Sequence, residues 1–376
     1  MSDIELQAIS KSYGDLQAVD DVDLSVRDGE LLCLLGPSGC GKSTTMRMIS
    51  GLETPTSGAV YIGGENVTDQ AAYDRDTSMV FQDWALFPYK TVIENVAFGL
   101  KMRGDGSDER TERAREMLER VHMDGFEDAN PTDLSGGQKQ RVALARSLAV
   151  DPDVLLLDEP LSNLDKRLRE EMEIELKDIH EEFDKTFVHV THNQDEAFTL
   201  ADRIGIMNDG RVVQVGTPTE VYRDPTNRFV EEFLGDTNFI AGEVTGVDDG
   251  YGRLSTEFGA TIRLPAFDAV SPGARRTVSL RPEFMRIQRP NETDNSEATT
   301  ARADGAGGDT MTGTVTNTIY RGSRIRYVVD VGGEQLFVEQ SVTDRTGIEE
   351  GERVELGWTT DDTLVFHPDG DRVRGA

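Results

Sequence analysis

The stretch GPSGCGKST, residues 36–44, satisfies G-x-x-x-x-G-K-[ST], with Gly36, Gly41, Lys42 and Ser43 at the fixed places. Glycines so spaced let a backbone wrap phosphate oxygens, and the N-terminus of a following helix adds partial positive charge. Pro37, Ser38, Gly39 and Cys40 fill the loop, and Thr44 continues it into TTMRMIS, a helix start. Lys42 is of the type and spacing to reach terminal phosphates, and Ser43 to hold Mg2+.

A second stretch, VLLLDEP at 154–160, ends an apolar run in two adjacent carboxylates. Beside a phosphate loop, Asp158 reads as the Mg2+ partner and Glu159 as the general base that orients an attacking water. The third, TDLSGGQKQRVALARSLAV at 132–150, carries another pair of glycines. Ser135 and Gln138 form a capping-box pattern, so a helix should start there, run through Arg141, Leu144 and Leu148, and stop before Pro152. Two glycines in a first turn weaken a helix, which calls for a further reason such as close approach of a ligand.

The elements that must position these groups alternate. LLCLL at 31–35, VLLL at 154–157 and TFVHVTH at 186–192 have the length and continuous apolarity of buried parallel strands. RIGIMNDGRVVQVG at 203–216 reads as a hairpin turning on Asp209-Gly210. LDKRLREEMEIELKDIHEEF spaces Leu168, Met172, Leu176, Ile179 and Phe183 as one face of an amphipathic helix. After about residue 236 the pattern changes to short strand-like pieces with a turn at Gly332-Gly333, which predicts a small all-β, barrel-like domain. NETDNSEATTARADGAGGD, 291–309, is polar throughout and reads as a flexible insertion.

At 376 residues the chain has room for two or three domains. Its 70 acidic residues against 39 basic ones give a formal net charge of −31, and arginine supplies most of the positive charge. Such a surface excludes general nucleic-acid binding. It also suggests a protein adapted to concentrated salt, where screening suppresses self-repulsion. The N-terminus lacks a secretory pattern, the apolar runs are far short of a membrane helix, and Cys33 and Cys40 fit a reducing cytoplasm.

Taken together, LSGGQ, the phosphate loop and VLLLDEP resemble the ATP-binding subunit of an ABC transporter, with similar order and spacing across residues 1–235. The resemblance implies an α/β fold: a P-loop NTPase domain at 1–236, with a mostly parallel sheet plus antiparallel β and helical subdomains. An accessory all-β, OB-like barrel would follow at 237–376. It assigns Tyr13 of KSYG to stacking on adenine, Gln82 of MVFQDWALFP to sensing Mg2+ and the attacking water, and His192 of VTHNQDEA to the terminal phosphate. Asp165 of LSNLD would cross toward a partner subunit. ATP and Mg2+ are the implied cofactors. Two copies would dimerise head to tail, with Ser135, Gly136, Gly137 and Gln138 of one facing the ATP of the other.

Asn193, Asp195 and Asp83 depart from the family's usual residues. The same resemblance implies work at the cytoplasmic face of the cell membrane, driving separate permease subunits and, indirectly, an extracellular solute-binding protein. Trp84, Phe87, Pro88 and Tyr89 are the candidate coupling surface. The approach RFVEEFLGDTNFIAGEV, together with ALFP and NVAFGL, is most similar to spermidine and putrescine importers. Iron, sugar or oxyanion import, and a soluble ATPase of the same fold unconnected with transport, are the alternatives. From charge alone, dialysis into dilute buffer should erode the circular-dichroism signal of the folded chain, and full stability there would refute the salt-adapted reading.

Overall fold

Leu31–Leu35, Val154–Asp158 and Thr186–Thr191 are buried at every residue, as expected of strands covered on both faces. In the computed structural model, which describes residues 2–248, 251–265, 270–290, 308–344 and 347–374, they form the middle of a six-stranded sheet. Its order is Arg211–Gly216, Arg203–Asn208, Leu31–Leu35, Thr186–Thr191, Val154–Asp158, Thr77–Val80. Neighbours pair in parallel except Arg211–Gly216, which returns antiparallel on Arg203–Asn208. That hairpin turns at Asp209 and Gly210, both at positive φ, as the sequence predicts.

A separate antiparallel sheet is ordered Leu16–Val26, Ile4–Tyr13, Ser57–Ile62, Glu65–Asn66. Between Val80 and Val154 the chain is mostly helical, with Val92–Val96, Phe98–Arg103, Ser107–Arg120 and Gly136–Ala149. The predicted amphipathic helix is Lys166–Phe183 and buries Met172, Leu176 and Ile179. Leu168 of its first turn joins Leu161, Leu164, Met172 and Trp84 in a small apolar cluster. Glu173 is also buried, which the periodicity of the apolar residues does not foretell.

By internal contacts the chain divides into Met1–Asp224 and Pro225–Ala376, so the second unit begins ahead of the change in sequence texture near residue 236. The reason is the helix Arg228–Phe233, which packs with the β strands through a buried ion pair. Arg281 Nη2 donates to Glu231 Oε2 at 2.5 Å, while Ser279 Oγ donates to Glu231 Oε1 at 2.6 Å. The strands form two five-stranded antiparallel sheets around one apolar core that includes Tyr327, Trp358 and Val365. Gly332 and Gly333, both at positive φ, make the predicted turn between Arg324–Val331 and Glu334–Ser341. The insertion expected at 291–309 lies outside the described residues as far as 307, and Gly308–Arg321 is a strand.

Among the described residues no helix is long and apolar enough to cross a membrane. Because Glu231 has no exposed surface, Arg281→Ala should cost the second unit about 3–5 kcal/mol by stranding a buried carboxylate. Chemical denaturation of the variant is the measurement.

Candidate active site

Four segments leave the parallel sheet at the ends of neighbouring strands: the phosphate loop after Leu35, Gln82 after Val80, Glu159 after Asp158, and His192 after Thr191. The loop runs into the helix Lys42–Ser50, whose N-cap Gly41 stands at φ 104° and offers no capping side chain. First-turn N–H groups there lack intrahelical acceptors and remain available to an anion. Two glycines are required by close approach as well: a Cβ on Gly36 would lie 2.3 Å from the Met207 carbonyl oxygen, and one on Gly41 would lie 2.5 Å from that of Ala18.

Lys42 is buried, and its Nζ donates to the carbonyls of Gly36 at 2.7 Å and Pro37 at 2.9 Å. Cys40 Sγ lies 3.8 Å from the same ammonium; burial raises the thiol's pKa and Lys42 only partly offsets it. Ser43 Oγ donates to Asp158 Oδ1 at 2.8 Å, which joins two of the three expected metal residues directly.

Glu159 adopts φ 46°, a left-handed conformation costing about 1–3 kcal/mol in a non-glycine residue. Several contacts impose it. Its N–H donates to Val190 at 3.0 Å, while its carbonyl accepts from Ser162 N at 3.2 Å and Ser162 Oγ at 2.9 Å. Its carboxylate Oε2 lies 2.9 Å from His192 Nδ1. Gln82 Nε2 donates to Ser162 Oγ at 3.2 Å, so Gln82 is joined to the loop that follows Glu159, not to Ser43 or Asp158. Asn163 Nδ2 donates to the Gln82 carbonyl at 3.1 Å.

The other expected residues stand apart. Tyr13 ends a strand of the antiparallel sheet, is substantially exposed, and has Lys11 Nζ 5.0 Å from its ring centroid. Asp165 caps the helix Lys166–Phe183, accepting from Leu168 N at 3.1 Å. The capping box at Ser135 is formed: Ser135 N donates to Gln138 Oε1 at 2.9 Å, and Gln138 N to Ser135 Oγ at 3.3 Å. Among the described residues, no hydrogen bond joins 135–138 to 36–44. The paired glycines have a reason within their own chain. A Cβ on Gly137 would lie 3.0 Å from Leu168 Cδ1, and one on Gly136 would lie 3.1 Å from Leu164 Cδ2.

Sequence reasoning passed over two features. Arg146, on the Gly136–Ala149 helix, donates to the carbonyls of Ala85 and Trp84, each at 2.7 Å. Those two residues have positive φ, so the guanidinium clamps a sharp turn just past Gln82, and burial lowers its pKa. The other is a buried group beneath His192: His189 Nε2 lies 3.3 Å from Glu196 Oε2, and Thr191 Oγ1 donates to the same oxygen at 2.7 Å. Burial pushes the Glu196 carboxyl upward, but those hydrogen bonds outweigh it and hold the pKa low. The positive φ at Trp84 and Ala85 marks the first of these places, and φ is not written in residue types.

A family model described as ABC transporter matches residues 19–162, and one described as TOBE domain matches residues 278–366. The spermidine/putrescine import ATP-binding protein PotA of Oleidesulfovibrio alaskensis is 40% identical, the alignment covering 98% of each chain. This chain belongs to the ATP-binding subunits of ABC transporters. A PotA of Pseudomonas aeruginosa is 47% identical over 77% of this chain and 80% of its own. The Fe(3+) ions import ATP-binding protein FbpC of Rhizobium etli is 42% identical over 91% and 92%. An ATP-binding cassette solved as a dimer in a post-hydrolysis state with ADP and Pi is similar at TM-score 0.52 and 35% identity, covering 57% of this chain and 98% of that one. The ABC ATPase domain binds and hydrolyses ATP.

One group near that site is out of balance. Glu173 sits at a pKa of about 7, raised by burial and then by the nearby Glu196 and Asp195. A carboxyl that holds its proton more tightly when folded stabilises the fold below its ordinary pKa and loses that advantage as pH rises through 7. Glu173→Gln should therefore raise the melting temperature at pH 8 more than at pH 5, as read by calorimetry.

Proposed function

We propose that this subunit powers import of a polyamine of the spermidine or putrescine class, working as a homodimer at the cytoplasmic face of the membrane. The observation that carries the substrate class is the near-full-length match to import ATP-binding proteins of that name, which spans both units of the chain. The matching FbpC of Rhizobium etli keeps ferric-ion import as a second reading.

For turnover, Ser43 Oγ and Asp158 are the residues to hold Mg2+, a hard cation suited to a hydroxyl and a single carboxylate, with phosphates and water completing its shell. When bound, Mg2+ neutralises charge on the terminal phosphates. Lys42 exchanges loop carbonyls for phosphate oxygens. Glu159 accepts the proton of the water that attacks the terminal phosphorus, His192 positions the Glu159 carboxylate through its 2.9 Å contact, and Gln82, held by Ser162, senses Mg2+ and that water. Tyr13 is exposed and would stack on adenine with the ring face that Lys11 does not cover.

Ser135, Gly136, Gly137 and Gln138 complete the site of a second copy. The capped helix start is exposed at Ser135 and unconnected with its own phosphate loop, which supports a shared site. Asp165, also exposed, lies on the loop that would cross to that copy. Permease subunits would dock near Trp84, Phe87, Pro88 and Tyr89; Tyr89 is 98% exposed, and a cavity of about 190 Å3 runs between Trp84, Pro88, Pro131 and Lys139. The solute-binding protein is then reached only through the permease.

Reconstitution with the neighbouring permease and solute-binding subunits tests the whole reading. Spermidine uptake should require ATP, and uptake of ferric ion instead would favour the second reading. Glu159→Gln should keep ATP binding and lose roughly 10²–10⁴ in turnover, whereas Ser135→Arg should keep nucleotide binding by the monomer and abolish dimerisation.

A further inference from the structure

A cavity of about 520 Å3 opens between the helices Lys166–Phe183 and Gln194–Leu200, lined in part by Lys166, Arg169, Glu173, Asp195 and Phe198. That volume suits a small organic ligand. Its cationic groups are already engaged: Arg169 donates to the Leu164 carbonyl at 2.9 Å and lies 3.6 Å from Glu196, and Lys166 lies 3.8 Å from Glu170. Of its carboxylates, Glu170 is thus paired, but Glu173 and Asp195 are not. Glu173 is only 6% exposed, yet among the described residues neither it nor Asp195 accepts a hydrogen bond or forms an ion pair through its side chain.

Glu173 is withdrawn from most solvent and has no hydrogen-bonding partner among the described residues, so a cation entering the cavity would offset its desolvation. Among the described residues no three His, Cys, Asp or Glu side chains converge as a metal site, and Phe198 beside the two carboxylates fits an organic cation. Phe198 provides an apolar face, its ring set edge-on to Tyr222 with centroids 5.7 Å apart.

We propose that this cavity binds a small alkylammonium ion, its charged head on Glu173 and Asp195 and its methylenes along Phe198. The site is independent of which solute the transporter carries. It also adjoins the active site: Asn193, the residue after His192, donates from its N–H to Thr191 Oγ1, which in turn bonds Glu196. An ammonium head favours ionised Glu173, which is partly protonated near neutral pH. The charges facing it are Lys166, Arg169 and Glu170 on its own helix and Asp195 and Glu196 on the other, with His189 on the strand behind Glu196.

The experiment is calorimetric titration of n-butylammonium into the full chain at ionic strength held constant with sodium chloride. Saturable one-to-one binding should tighten between pH 6 and pH 8, because the ligand keeps its charge while Glu173 loses its proton. Glu173→Gln should weaken binding about tenfold or more, and Asp195→Asn should weaken it as well. Glu171→Gln, an exposed change on the same helix, should leave it unaltered. Equal affinity in Glu173→Gln, no saturable binding to the unmodified chain, or the same loss in Glu171→Gln would overturn the assignment; the last would mean only the general attraction of an acidic surface.

Discussion

Five neighbouring strands run parallel, so the chain emerges from each of them at the same edge of the sheet. That constraint brings together side chains as distant in sequence as Lys42 and His192, without any of them having to reach across a core. The buried, unbranching hydrogen-bond ladder supplies the rigidity, and loops at its rim supply the chemistry. Ser43 meets Asp158, and Glu159 meets His192, because their parent strands are adjacent or one apart.

Much of this frame was legible beforehand. LLCLL, VLLL and TFVHV are apolar at consecutive positions, a pattern that only burial on both faces accounts for, and the glycines of 36–44 announce close backbone approach. The Ser135 capping box and the Asp209-Gly210 hairpin are local chemistry and form as local chemistry dictates. What stayed hidden is long-range. Nothing in ARSLAV marks Arg146 as the clamp of a turn sixty residues earlier, since an arginine on a helix is ordinarily a solvated one.

The paired glycines of LSGGQ show how a sound local argument can have two answers. Bare backbone in a first turn suggests a ligand, but Gly137 also makes room for Leu168 and Gly136 for Leu164 of the same chain. The start of the Gly136–Ala149 helix therefore packs against the apolar cluster that holds the loop after Glu159. Similarly, Glu173 reads as part of a charged outer face by its spacing, and only the packing of a second helix against it shows it to be buried.

Lys42 gives the phosphate loop a property that counting charges would miss. Its ammonium is already satisfied by two loop carbonyls, so an incoming group is judged against acceptors that are good and permanently at hand. A neutral hydroxyl or amide oxygen offers the lysine nothing better than it has. An acceptor bearing formal negative charge makes the stronger bond to an ammonium than a carbonyl does, so the arrangement favours anionic groups over uncharged ones without a steric gate.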